Sequence, residues 1–192
     1  MKRVVTYYFI LKNIFICKIK KIDFKNKLRI IGPFTIVKHK TAQIYLGKNF
    51  NLLSGLMFNT LGRNLKSMIR ADENAIIEIG NDVGMSCISI WAKNKIKIGN
   101  NVKLGAGVIV MDSDMHALDY NMRRNINTDA KNATSKSIVI GDDVFIGVNS
   151  IINKGVSIGN RSIIAAGSVV VKSVPKDEIW GGNPAFFIKK LI

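Results

Sequence analysis

Aliphatic residues recur at intervals of six along the second half of the chain. Ile140, Ile146, Ile152, Ile158, Ile164 and Val170 form one run, and Ile98, Leu104 and Val110 form another. Glycine follows at positions 99, 105, 141, 147 and 159, and a second apolar residue stands four after the ladder at Val102, Val144, Val156 and Val174. Weaker repeats begin at Ile79-Gly80 and Leu46-Gly47. An α-helix repeats its face every 3.6 residues, so a period of six excludes one. The period fits short strands joined by turns. One side chain of each repeat points inward, and the residue beside it turns a corner that suits glycine. Three such repeats close a triangular coil of about eighteen residues, and stacked coils hydrogen-bond at about 4.8 Å. The pattern predicts an all-β parallel helix.

The ladder stops at residue 116. Six beyond Val110 stands His116, where an aliphatic residue is due. An imidazole at an inward position costs packing unless it is hydrogen-bonded or functional. Residues 117–137, ALDYNMRRNINTDAKNATSKS, are poor in aliphatics, and the repeat resumes at Ile138–Ile140. They read as a loop extruded from the coil, and polar loops of this length in compact folds usually serve function. Asp112 and Asp114 alternate with His116, which in a strand places all three on one side. One of the two acids would then orient the imidazole.

Charge changes the picture at the other end. The net charge of the 192 residues is +16, and residues 1–40 hold eleven Lys or Arg against Asp23 alone. The opening MKRVVTYYFILKNIFICKIKKI interleaves aromatic and aliphatic residues with lysines. Its longest uncharged run, Val4–Leu11, is far short of the ~20 residues that span a bilayer, and no small-residue cleavage site marks a signal peptide. Two readings stand: a segment capping the core, or a basic apolar segment on an anionic membrane surface. Nothing resembles a nucleic-acid recognition motif, so no nucleic-acid partner is expected. Two isolated cysteines, Cys17 and Cys87, make no disulfide framework and fit a reducing cytoplasm. The divisions expected are a basic capping segment 1–40, a β-helix 41–180 and a tail 181–192.

The ladder, the DSDMH segment (residues 112–116) and the ending AAGSVVVKSVPKDEIWGGNPAFFIKKL (residues 165–191) together resemble the hexapeptide-repeat acyltransferases over about residues 40–192. The similarity is greatest to the sugar O-acetyltransferases: the maltose, galactoside and nodulation-factor types and those acting on capsule or lipopolysaccharide sugars. The resemblance implies a left-handed coil, a short C-terminal helix at about Pro184–Leu191, and a homotrimer with sites between subunits. It implies acetyl-CoA as co-substrate and no metal. His116 would be the general base, taking a proton from an acceptor hydroxyl, with Asp112, Asp114 and Ser86 as catalytic support or acceptor contacts. Coenzyme A would lie along Phe145, Gly147, Val148, Ala166, Gly167 and Ser168, with Lys172 and Lys189 near its phosphates. Where relatives carry a base after the NPA triplet this chain has Phe186.

The resemblance makes the chain an acetyl-CoA-dependent O-acetyltransferase acting on a sugar or surface-glycan precursor, in the cytoplasm or at the inner face of its membrane. An N-acyltransferase acting on an amino sugar or amino-acid amine is the alternative, and a non-catalytic scaffold a more distant one. The carbonic anhydrases of the same coil need three histidines around zinc, and this chain has His39 and His116.

Overall fold

The computed structural model describes residues 2–59, 61 and 64–191, leaving Met1 of the capping segment and Ile192 of the tail outside the description. The six-residue period builds three parallel sheets, which form the faces of a triangular prism. The coil is a left-handed parallel β-helix. The first face contains strands Asp23–Phe24, Gln43–Leu46, Ile76–Ile79, Lys95–Ile98, Ile138–Ile140 and Ser157–Ile158. The second runs through Arg29–Ile31, Asn51–Leu53, Gly84–Ser86, Lys103–Leu104, Phe145–Ile146 and Ile163–Ile164. The third runs through Phe34–Lys38, Ser67–Ala71, Ser89–Ala92, Ile109–Met111, Ile151–Ile152 and Val169–Val170.

The ladder sets the register. Leu104 pairs with Ile146 and Ile146 with Ile164, while Val110 pairs with Ile152 and Ile152 with Val170. Each column is buried, so the core is a stack of aliphatic layers along the prism axis. Among the described residues the repeat is interrupted between Leu53 and Ser67, in the second coil, and by the loop after Met111.

The glycines work differently from the sequence expectation. A side-chain Cβ on Gly47 would lie 2.2 Å from the carbonyl oxygen of Gly80, and one on Gly99 would lie 2.7 Å from the carbonyl carbon of Gly141. These glycines are needed because successive coils approach closely there. The left-handed backbone of that edge falls two residues later, on Asn49, Asp82, Asn101, Asp143 and Arg161, with φ between 56° and 63°. Asn and Asp tolerate this region better than other side chains. Beside them runs an amide–carboxylate ladder. Asn81 Oδ1 accepts from Lys48 N, Asn100 Oδ1 from Asn81 N, Asp142 Oδ1 from Asn100 N, and Asn160 Oδ1 from Asp142 N.

Both ends depart from expectation. The coil begins at Asp23, which pairs with Tyr45, and not near residue 41. Only the helix α1, Lys2–Ile19, lies outside it as a cap. Asn13 on its inner face donates to the carbonyls of Ile30 and Gly32 at 3.0 Å each, and Cys17 is fully buried there. At the other end the expected helix at 184–191 is a strand. Glu178–Gly182 and Ala185–Lys190 form an antiparallel hairpin, whose first strand pairs Ile179 with Ile163 and Trp180 with Ile164. The hairpin covers the edge that the last coil would otherwise leave open.

Candidate active site

His116 is exposed, with 68% of its side chain accessible. It is not an inward rung: the third-face strand ends at Met111, and Met115, at φ 65°, breaks the strand geometry just before it. Ala117 is the buried residue instead. The imidazole Nδ1 lies 2.6 Å from Asp129 Oδ2, and the other oxygen of Asp129 accepts from the Ala117 amide at 2.8 Å. The hydrogen bond with His116, then the Ala117 amide, hold the Asp129 carboxyl below its ordinary range. Asp129 is therefore ionised at neutral pH and accepts the proton of Nδ1–H. The lone pair is left on Nε2, and that tautomer is the one a general base needs.

The loop is folded to present this pair. Its two ends are tied by a bridge between Ser113 and Ser135, by Asp114 N donating to Thr134 O, and by Lys136 N donating to Asp112 O. Asp119 caps the short helix α2, Tyr120–Arg123, by accepting from Asn121 N at 2.8 Å. Arg123 Nη1 then donates to Ala117 O at 2.7 Å, which pins the residue beside the histidine. Asp119 and Asp129 are the acids of the loop. The sequence has no feature that separates the cap from the histidine's partner, so it does not single out Asp129.

The three-residue alignment expected from alternation does not form. Asp112 is fully buried, and its oxygens accept from Lys93 N at 2.7 Å and Asn94 N at 2.8 Å. Burial raises its pKa, and the backbone donors oppose that rise. Asp112 thus closes a corner of the coil below and does not support His116. Asp114 pairs with Lys154 at 2.6 Å, and its Oδ2 is buried with no partner among the described residues.

At the opposite edge of the third face the backbone is open. The amides of Val148 and Ala166 donate to no protein acceptor among the described residues. Each lies over a glycine of the coil below: a Cβ on Gly105 would meet Val148 N at 2.7 Å, and one on Gly147 would meet Ala166 N at 2.4 Å. Ala166 and Gly167 are exposed, and Phe145 projects from the second face, 47% exposed. A cavity of about 440 Å³ on this edge is lined by Lys66, Cys87, Gly107, Ile109, Asn149 and Ile151.

A family model described as the hexapeptide repeat of succinyl-transferase matches residues 137–172. Over 138 residues the chain is 30% identical to galactoside O-acetyltransferase of Escherichia coli K12, covering 70% of this chain and 65% of that protein. It is 28% identical over 170 residues to a protein of the same strain named for O-acetyl transfer in lipopolysaccharide biosynthesis, covering 87% and 81%. The chain carries the hexapeptide repeat and is similar to acetyltransferases over most of its length. An N-acyltransferase from Bacillus cereus, solved with dTDP-4-amino-4,6-dideoxyglucose and coenzyme A, shares its fold at TM-score 0.69 and 18% identity, over 90% of this chain and 87% of that one. The chain thus spans just under two thirds of the galactoside enzyme's length.

The hexapeptide-repeat frame sorts the remaining expected contacts. Gly147, Val148, Ala166 and Gly167 come together on one edge, and Ser86 stands next to Cys87, which lines the cavity there. Ser168 is fully buried; its hydroxyl donates to Ala165 O at 2.6 Å and accepts from Gly182 N at 3.2 Å, so it faces no ligand. Lys172 follows the last third-face strand, at the edge His116 occupies, and Lys189 lies on the terminal hairpin. Burial of the inner face of α1 against the coil pushes the Cys17 thiol up to about 11, and Cys87 is 3% exposed at φ 47°. Among the described residues no cluster of His, Cys, Asp or Glu could hold a metal ion.

Proposed function

We propose that the protein is an acetyl-CoA-dependent O-acetyltransferase acting on a sugar hydroxyl, with His116 as general base. The observation that carries this reading is the His116–Asp129 pair, which fixes a lone pair on an exposed Nε2. Nε2 takes the proton as the acceptor oxygen attacks the thioester carbonyl. The tetrahedral intermediate collapses with cleavage of the C–S bond, and the imidazolium returns its proton to the departing thiolate. The products are an acetyl ester and coenzyme A, and no acetyl-enzyme forms. The open Val148 and Ala166 amides suit the pantetheine amides, and Phe145 suits its methylenes. Gly167 completes that edge, while Lys172 and Lys189 remain candidates for the phosphates. Ser86, and Asp114 braced by Lys154, are the candidates for acceptor contacts.

Gly107 precedes the third-face strand Ile109–Met111 and His116 follows it, so in one chain the cavity and the base stand at opposite edges of that face. The reading therefore includes a cyclic trimer in which His116 of one chain faces the open edge of the next.

The test is calorimetry with acetyl-CoA and coenzyme A, then thiol release over a panel of sugars. The wild type binds both nucleotides. His116→Ala keeps that binding and loses turnover by about 10²- to 10⁴-fold. A folded protein that binds neither nucleotide overturns the reading. Turnover on amino sugars alone, with an amide product, moves it to N-acylation.

A further inference from the structure

The outer face of α1 is the largest feature that this function leaves unused. Val4, Tyr7, Tyr8, Leu11, Phe15 and Ile19 are 57–73% exposed. Their spacing places them on one stripe of the helix. The opposite stripe is already used: Asn13 and Cys17 are buried against the first coil, and Phe9 meets Phe58 edge-on at 5.8 Å between ring centroids. A helix apolar on all sides is ordinarily buried on all sides. Here the prism takes one face and leaves the other unpartnered.

Charge indicates what covers it. Lys12 borders the stripe, Lys18 stands on it in the last turn, Lys20 and Lys21 follow the helix, and Asp23 is the sole acid of residues 2–29. A second copy docking face to face would set these cations against themselves, because a two-fold contact pairs a patch with itself. An anionic bilayer satisfies both features, with apolar side chains entering the acyl boundary and lysines remaining at the headgroups. Beside the helix, a cavity of about 700 Å³ is lined by Arg3, Thr6, Tyr7, Ile10 and Arg29. Its two guanidinium groups suit a headgroup phosphate. No helix among the described residues is long and apolar enough to cross a membrane, so the contact is peripheral.

We infer that α1 docks the protein end-on to an anionic lipid surface, with the prism itself replacing the polar face of an ordinary interfacial helix. This inference stands apart from the acetyl-transfer reading. The test is co-sedimentation of the full chain with phosphatidylglycerol or phosphatidylcholine vesicles. The wild type pellets with phosphatidylglycerol, and added salt weakens that binding. Leu11→Glu with Phe15→Glu reduces binding at least tenfold, as does Lys12→Glu with Lys18→Glu, while thermal midpoints stay near the wild type. The lysine pair keeps the test decisive if the apolar pair fails to fold. Absence of binding by folded wild type overturns the inference. Equal, salt-insensitive binding to both vesicles overturns it too. So does concentration-dependent self-association that Leu11→Glu abolishes without any vesicle binding, which would assign the face to a second copy.

Discussion

At the scale of single residues, catalysis in this reading depends on a carboxylate the sequence did not single out. Asp129 touches no substrate; it positions His116. Asp129→Asn keeps the size and leaves an amide oriented by the Ala117 contact, without the charge that fixes the tautomer. The expected result is a kcat lowered about 10- to 100-fold, less than loss of the base itself, with KM nearly unchanged. Asp129→Glu restores part of the rate, which a merely structural role would not predict. The acid side follows from the same pair. The folded carboxyl titrates below the ordinary aspartate value of about 3.9. Its hold on the loop is therefore complete above that value and lost as pH falls through the lower folded one. Protection of the Ala117 amide, taken relative to its free exchange rate at each pH, should hold down to about pH 4 and fall beneath it; an unprotected amide at pH 6 would contradict the clamp. His116 itself was legible as a break in the ladder. Its supports were not. Met115 adopts a left-handed backbone, so strand alternation no longer places Asp112 and Asp114 beside it.

At the scale of elements, the coil was legible because one inward rung per repeat leaves a periodic trace, whatever the rest of the repeat contains. The glycine corners were visible, but their physical cause was not, since sequence does not tell close approach from unusual backbone angles. Two substitutions separate the causes. Gly99→Ala puts a methyl 2.4–2.8 Å from Asp142 and the Gly141 backbone, which cannot yield without parting two coils. It should cost about 2–3 kcal/mol. Gly167→Ala meets nothing within 4 Å, and its φ of 72° is the whole penalty, about 1 kcal/mol. Thermal unfolding ranks them, and a larger loss at Gly167 would reverse the argument. The ends were harder to read because capping elements need not repeat. Phe186, Phe187 and Ile188 follow Asn183-Pro184 as an apolar run. Only their pairing with the Glu178–Gly182 strand shows that they extend a sheet edge.

At the scale of the whole molecule, the two halves of the site lie on different edges of one prism, and that separation can be tested by complementation. The open amides stand where the chain enters the third face, and His116 stands past its exit. If each site joins two neighbours, sedimentation gives a particle of three 21.3 kDa chains. A His116→Ala chain and a Phe145→Glu chain are then each nearly inactive alone, for different reasons. Phe145 is exposed, so its substitution leaves the core intact. Unfolded together in equal amounts and refolded, the chains mix at random. A site is intact when the base comes from a Phe145→Glu chain and the neighbouring groove from a His116→Ala chain. Each condition holds half the time, so activity should return to about a quarter of the wild type, as a cyclic head-to-tail assembly requires. If both halves of a site belonged to one chain, every chain would carry a defect and mixing would restore nothing. Recovery thus requires the site to be shared between chains, and failure of a well-folded mixture to recover would return it to the single prism.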